Sequence, residues 1–454
     1  MKSAGAGSGG RIPAAHRLEP ARRLRGQRML RLLYNALWYP ALPVALALSG
    51  GALDAAARRA RLGRAWAGDN TAPPEEPRIW AHAASVGEVG ALGAVASALV
   101  RERPGATLVV TTMTAAGREA ARRALPGARA HLLAPLDCRA ALGHFLGALR
   151  PTLVLIAETE LWPNYFIESH RAGACLAIVN GRISARALSR YRCVRPLLRE
   201  ALECADRVLA QTPEDAERFL ALGAIADRVV VTGNTKFDLA SLVAAPLRPA
   251  LDAFAVGRTV LVAGSTAPGE EQVVIDAWRE LSARFDRLAL VVAPRHLGRI
   301  AEVEALLGAA RIEYAKASAQ DADGAAAARV MLLDTMGDLR AMYGRGAAAF
   351  VGGSLAPGRG GQSLAEPAAA AVPVLFGPFH ENQRAIAAAL LEARAGAVVR
   401  NAAELVRSVS ALLDDDAARR AAGRAAKAVV ERMAGGVAAT LAELRPLVGA
   451  PPQS

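Results

Sequence analysis

Residues Gly352–Glu366 read GGSLAPGRGGQSLAE and follow directly on the apolar run Ala347–Val351. A strand ending in two glycines, with a second Gly-Gly just ahead of a helix-prone Leu364–Ala371 run, is the turn of an α/β unit. Glycine lacks Cβ and tolerates φ > 0, so backbone N–H groups can approach an anion closely. A helix N-terminus adds partial positive charge. The spacing matches neither the G-x-G-x-x-G fingerprint of dinucleotide folds nor the G-x-x-x-x-G-K-[ST] of P-loops. What remains is a phosphate cradle with a carboxylate, Glu366, in the first helical turns. That acid does not suit a phosphate but suits ribose hydroxyls, so the stretch reads as half of a nucleotide-sugar site. An ordinary tight turn ahead of a helix would use the same glycines.

Working outward, strand-like apolar runs alternate with amphipathic helical stretches on both sides of this loop. A first series has strands at Arg78–Ala84, Ala106–Met113, Ala130–Ala134, Thr152–Ala157, Cys175–Val179, Arg207–Ala210 and Arg228–Val231. After a proline-marked break at Ala244–Pro249, a second has strands at Thr259–Ala263, Leu288–Val292, Val330–Leu333, Ala347–Val351, Val372–Phe376 and Gly396–Val399. Such alternation predicts parallel sheets covered on both faces. The expected organisation is two doubly wound domains, 77–243 and 250–448, facing each other across a cleft. A basic, disordered leader (1–31) and a membrane-associated segment (32–66) precede them. Asp416–Val448 reads as one long helical tail.

In open α/β sheets ligands bind beyond the carboxyl ends of the strands. Polar clusters recur there: His82–Glu88, Glu158–Asn164, Gly233–Asp238, Gly264–Thr266, Pro294–His296, Asp334–Asp338, Gly352–Glu366 and Gly377–Asn382. Glu88 alone could merely complete a capping box with Ser85. Eight clusters at one end of two sheets are harder to explain as capping. Lys236 is one of four lysines in a chain with 55 basic residues, which suggests that a compact point charge is wanted there.

The net charge of +13 invites a nucleic-acid reading, but residues 1–64 hold twelve basic groups and two acids, leaving only +3 for the rest. The excess is an N-terminal patch, which argues against nucleic acid, and none is expected as a partner. Within that patch the uncharged Leu32–Leu53 is interrupted by Pro40, Pro43 and Gly50–Gly51. Trp38, Tyr34 and Tyr39 suit a headgroup boundary, and the flanking arginines suit anionic lipid. The expectation is a membrane anchor, spanning once or lying in the interface; a buried N-terminal helix is the alternative. Cys138, Cys175, Cys193 and Cys204 show no paired spacing and read as free thiols. The seven histidines form no metal motif, so no metal is expected.

Taken together, HAASVGE (82–88), TTMTAAG (111–117), ETELWPN (158–164), NGRIS (180–184), GNTKFD (233–238), APRH (293–296), GGSLAP…GGQS…EPA (352–368) and LFGPFHEN (375–382) closely resemble the 3-deoxy-D-manno-octulosonic acid (Kdo) transferases. These are membrane-associated inverting glycosyltransferases of the GT-B type. The resemblance runs from about Tyr34 to Val448. It implies CMP-Kdo as donor, a lipid A precursor as acceptor, no cofactor, and the cytoplasmic face of the inner membrane as the location, with anionic lipid as a further partner. It implies that Glu88 is the general base, and that Glu158 and Lys236 stabilise the transition state. Pro294, Arg295, Met336, Gly337, Asp338, Ser363, Leu364, Ala365 and Glu366 would bind the CMP moiety. Two departures stand out: many members have His-Asn in place of Gln362–Ser363, and Glu is common in place of Asp338. The rivals are a GT-B transferase or epimerase using a UDP-sugar, and a non-catalytic membrane tether that only binds nucleotide or anionic lipid.

Overall fold

The computed structural model describes residues 15–48, 55–66, 77–238, 246–319 and 322–448. It divides into two compact units, Met1–Thr235 with Gly436–Ser454, and Lys236–Gly435.

The first unit is built on a seven-stranded parallel sheet. Its strands are β1 (Arg78–Ala83), β2 (Thr107–Thr112), β3 (Ala130–Leu133), β4 (Leu153–Ala157), β5 (Cys175–Gly181), β6 (Arg207–Ala210) and β7 (Val229–Val231). Their spatial order is β3-β2-β1-β4-β5-β6-β7. The second unit repeats the plan with β8 (Thr259–Thr266), β9 (Leu288–Pro294), β10 (Ala315–Lys316), β11 (Val330–Leu332), β12 (Gly346–Val351), β13 (Val374–Phe376) and β14 (Gly396–Val398). Their order is β10-β11-β9-β8-β12-β13-β14, with each neighbouring pair parallel.

Both faces of each sheet are buried, which is why the strands read as unbroken apolar runs. Along β4, Leu153, Leu155 and Ala157 point into one core while Val154 and Ile156 point into the other. Along β8, Leu261 and Ala263 oppose Val260 and Val262 in the same way. The strand order reverses between β1 and β4 in the first sheet and between β8 and β12 in the second. A doubly wound sheet opens a crevice at such a switch point, beyond the strands' carboxyl ends.

Three expectations about organisation change. The tail is not one helix: it breaks at Gly435 (φ 103°) into Asp416–Met433 and Gly436–Leu444. The first of these packs Ala426, Val429 and Val430 on the second unit's Leu364, Ala368 and Phe376. The second buries Leu441 and Leu444 against Val89 and Leu92 of the first unit, so Gly436–Val448 belongs there and not with 250–448. At the other boundary, Lys236–Asp238 belongs to the second unit, not to 77–243.

The N-terminal expectation also changes. One helix, Ala15–Leu48, takes in residues 15–31 of the expected leader and continues through Pro40 and Pro43. Among the described residues no helix is long and apolar enough to cross a membrane. The spanning form of the anchor is therefore not found there, because Tyr34, Asn35, Trp38 and Tyr39 break the apolar run. One face of this helix packs on the first unit. Tyr34 donates to Asp137 Oδ2 at 2.5 Å, Asn164 Nδ2 donates to Asn35 Oδ1 at 3.0 Å, and Trp38, Leu42 and Ala45 lie on Leu136, Cys138 and Ala141. The opposite face leaves Met29, Leu32, Leu33, Leu37 and Tyr39 exposed. Segments 1–14, 49–54, 67–76, 239–245, 320–321 and 449–454, and with them part of Leu32–Leu53, lie outside the described residues.

Candidate functional site

At the first unit's switch point, Glu88 follows β1 and Glu158 follows β4. Glu88 sits in the first turn of helix Val86–Glu102, whose N-cap is Ser85. A shifted form of the capping box is present: Ser85 Oγ accepts from Glu88 N at 3.4 Å, and Glu88 Oε2 accepts from Ala84 N, one residue before the cap, at 2.6 Å. The box does not use up the carboxylate. Burial, then the charges of Glu160 and Glu158, push the Glu88 carboxyl up to about 7, against the pull of its hydrogen bonds with Ala84 and Ser85. Capping fixes the group in place while its surroundings tune it as a base near neutrality.

Glu158 is buried and holds a left-handed backbone (φ 47°), with Asn180 on β5 in the same region (φ 56°). A left-handed Glu costs more than a left-handed Asn, and such strain collects at working sites. Asn180 joins two expected segments. Its Nδ2 donates to Glu158 Oε1 at 3.3 Å, and its Oδ1 accepts from Thr235 N at 3.0 Å. Thr235 immediately precedes Lys236, which lies in the turn Thr235–Phe237 and belongs to the second unit.

Sequence reasoning missed the layer beneath Glu88. Glu160 accepts from Trp162 Nε1 at 2.7 Å and lies 3.9 Å from His82 Nε2, too far for a hydrogen bond. His82 is fully buried, its Nδ1 is 2.9 Å from Thr111 Oγ1, and Nε2 has no hydrogen-bond partner among the described residues. Burial tends to raise the Glu160 carboxyl, but nearby His82 and Trp162 outweigh it, and the group lies below its ordinary range. Glu160 is thus the standing negative charge beside Glu88. Both His82 and Glu160 lie within the quoted motifs; only their burial marks them.

In the second unit the glycine loop is an anion cradle, but the first half is already filled. Glu270, at the start of helix Glu270–Arg284, accepts from Gly353 N at 2.7 Å, Ser354 N at 2.8 Å, Leu355 N at 2.8 Å and Ala267 N at 2.9 Å. A Cβ on Gly352 would meet Glu270 Oε2 at 2.5 Å, so glycine is required there. The phosphate cradle expected at Gly352–Gly353 is corrected: Gly352 N donates to the Gly264 carbonyl at 2.9 Å and Gly353 N serves the internal carboxylate, which locks the loop against β8. Neighbouring Glu271 is also consumed, accepting from Thr266 Oγ1 at 2.8 Å and pairing with Arg299 at 2.6 Å.

Next to that lock, Arg295 and His296 follow β9, and Ser265 (φ 53°) and Thr266 end β8. With Arg359 and Gln362 they border a cavity of about 250 Å³. Of the expected nucleotide residues, Arg295 lines this cavity, while Met336, Asp338 and Ser363–Glu366 do not. Met336 is 58% exposed, next to Gly337 (φ 99°), the N-cap of helix Asp338–Tyr343. Asp338 pairs with Arg248 at 3.0 Å and accepts from the Thr335 hydroxyl. Glu366 pairs with Arg340 at 3.4 Å, and Ser363 is half-buried. Leu364 and Ala365 are buried in the core, so only their backbone can meet a ligand.

Two parallel-sheet α/β units, each with polar groups at its switch point, define a GT-B-type protein. A solved UDP-GlcNAc 2-epimerase from Neisseria meningitidis, bound to UDP-GlcNAc, superposes with a TM-score of 0.55 at 13% identity, covering 81% of this chain and all of that one. That likeness shows the fold alone. The family is shown by sequence. Residues 56–239 match the model described as 3-deoxy-D-manno-octulosonic-acid transferase (kdotransferase). The 3-deoxy-D-manno-octulosonic acid transferase of Bordetella pertussis is 36% identical over 86% of this chain and 91% of that protein. That of Haemophilus influenzae is 30% identical over 92% and 99%. The chain belongs to the Kdo transferase family, and its activity class is glycosyl transfer.

Proposed function

We propose that the chain moves Kdo from CMP-Kdo to a lipid A precursor, lipid IVA, with inversion at the transferred carbon, as a step of lipopolysaccharide core assembly. The observation that carries this reading is Glu88: a carboxylate at a switch point, fixed by its own helix cap and raised to about 7. It takes the proton of the attacking acceptor hydroxyl, a task general base catalysis rewards by about 10²–10⁴-fold. Negative charge then builds on the leaving CMP phosphate, where Arg295 answers it. Glu158 and Lys236 stabilise the transition state. The Met336–Asp338 turn and the Ser363–Glu366 segment hold the nucleoside.

The acceptor is amphiphilic and anionic. The exposed apolar face of Ala15–Leu48 and the surrounding arginines support a place at the cytoplasmic surface of the inner membrane, on anionic lipid, with the helix lying in the interface. Nucleotide choice tests the donor half. Calorimetry with the full chain should show CMP binding that Arg295→Ala weakens; binding of UDP in preference to CMP would favour the UDP-sugar reading.

A further inference from the structure

The cavity beside the glycine loop is electrostatically one-sided. No Asp or Glu lines it, and neither Arg295 nor Arg359 forms an ion pair with a carboxylate of the described residues. The third arginine at its edge, Arg299, is committed to Glu271 and Glu302. Glu270 lies close by, but its oxygens are taken by the four backbone N–H groups. Both guanidinium groups are exposed at the cavity and carry no paired carboxylate among the described residues, so the cavity presents a positive potential that suits a ligand with negative charge.

Arg359 is presented by a built loop. Gly358, Gly360 and Gly361 all have left-handed backbones (φ 87°, 75° and 79°), which turns the chain sharply at the arginine. The turn is then tied down. Gly361 N donates to Gly353 O at 2.8 Å and Gln362 N to Gly352 O at 3.1 Å. Asn382 Nδ2 donates to the Arg359 carbonyl at 3.1 Å and Asn382 N to Gly360 O at 2.8 Å. A Cβ on Gly360 would meet Asn382 Nδ2 at 2.3 Å, so the backbone approach needs glycine. The loop therefore sets where the Arg359 side chain starts, at the cavity it lines.

The single phosphodiester of a CMP-linked sugar carries one negative charge and needs one of these arginines. A 2-keto sugar acid joined through its anomeric carbon carries two anions on that carbon, the phosphate ester and the sugar's own carboxylate. We infer that Arg359 binds the carboxylate of the transferred sugar acid, leaving Arg295 to the phosphate, and thereby selects an acidic sugar over a neutral one. A guanidinium fork suits a carboxylate bidentately, which a lysine would not match. This assignment rests on the donor reading above and adds a specificity residue to it.

The test is calorimetric titration of the full chain and of Arg359→Gln and Arg359→Lys with two probes, CMP and CMP-Kdo, without acceptor, and with UDP as a control. Arg359→Gln should lose about tenfold to a hundredfold in affinity for CMP-Kdo while CMP affinity stays within about twofold. Arg359→Lys should recover part of the loss. An equal loss for both probes, or none for CMP-Kdo, overturns the assignment, as does a preference for UDP that Arg359→Gln abolishes, which would give the arginine to a second phosphate. Failure of the unaltered chain to bind CMP is a different result: it removes the donor reading itself, and this inference with it.

Discussion

Glu88→Gln separates the two roles that the structure gives one carboxylate. The amide keeps the size and can still accept from Ala84 N, so the helix cap and the fold should survive. It cannot take a proton, so turnover should fall by about 10²-fold or more while donor affinity is unchanged. The stability sign follows from the raised pKa. Between 4.5 and about 7 the folded state keeps a proton that the unfolded chain releases, so folding loses stability as pH rises through that window. A shift from 4.5 to about 7 corresponds to about 3 kcal/mol at most, reduced to about 1–2 kcal/mol because solvent reaches part of the group. Glu88→Gln should therefore raise Tm at pH 8 and leave it nearly unchanged at pH 4. In the unaltered protein, kcat should climb with pH and level off above about 7, where Glu88 is ionised. The assay is a pH series of initial rates beside thermal melts of both proteins. Wild-type turnover in the variant, or a rate flat between pH 5.5 and 8, would refute the base assignment.

The remaining expectations concern the groups around that base and the donor site. Glu160→Gln removes the charge beside Glu88, so the acidic limb of the rate profile should move to lower pH; an unmoved limb would show that burial alone sets the base. Glu270→Ala should destabilise the second unit by about 3–5 kcal/mol, because it strands four backbone donors, and CMP affinity should fall with it; an unchanged melt would mean the loop is not locked by that acid. Glu366→Ala should weaken CMP binding while Glu88→Gln does not, and unaltered CMP affinity after both Arg295→Ala and Glu366→Ala would move the nucleotide elsewhere. Leu32, Leu33 and Leu37 changed together to Ser should abolish flotation with anionic vesicles and spare activity on detergent-dispersed acceptor; undiminished flotation would discard the helix as the anchor.

The alternating apolar runs located thirteen of the fourteen strands among the described residues, because buried parallel strands and amphipathic helices differ in period and length. Only β10 escaped: two residues paired to β11 carry no periodic signal. Glu88 and Glu158 lie at the first sheet's switch point and Arg295 at the carboxyl end of β9, strand ends that the sequence suggested. The tail's division was hidden because Ala- and Arg-rich helices look alike whichever unit they cover, although Gly435–Gly436 was the available mark. The glycine loop was misjudged for a physical reason. A cradle of N–H groups demands an anion, but sequence cannot say whether a ligand or a carboxylate 83 residues away supplies it. Arg359 stood in the same quoted stretch as a loop residue, and its place at the cavity with no ion pair among the described residues marks it out.

The central claim is the transfer itself, and one measurement reaches it most directly. The purified full chain would be incubated with CMP-Kdo and a tetra-acylated lipid A precursor, and the lipid analysed by mass spectrometry beside a parallel incubation of Glu88→Gln. The account predicts a lipid heavier by one or more Kdo residues, formed from CMP-Kdo and not from UDP-N-acetylglucosamine, and strongly reduced in the variant. An unmodified lipid after many equivalents of donor, or equal product from the Glu88→Gln protein, would contradict it.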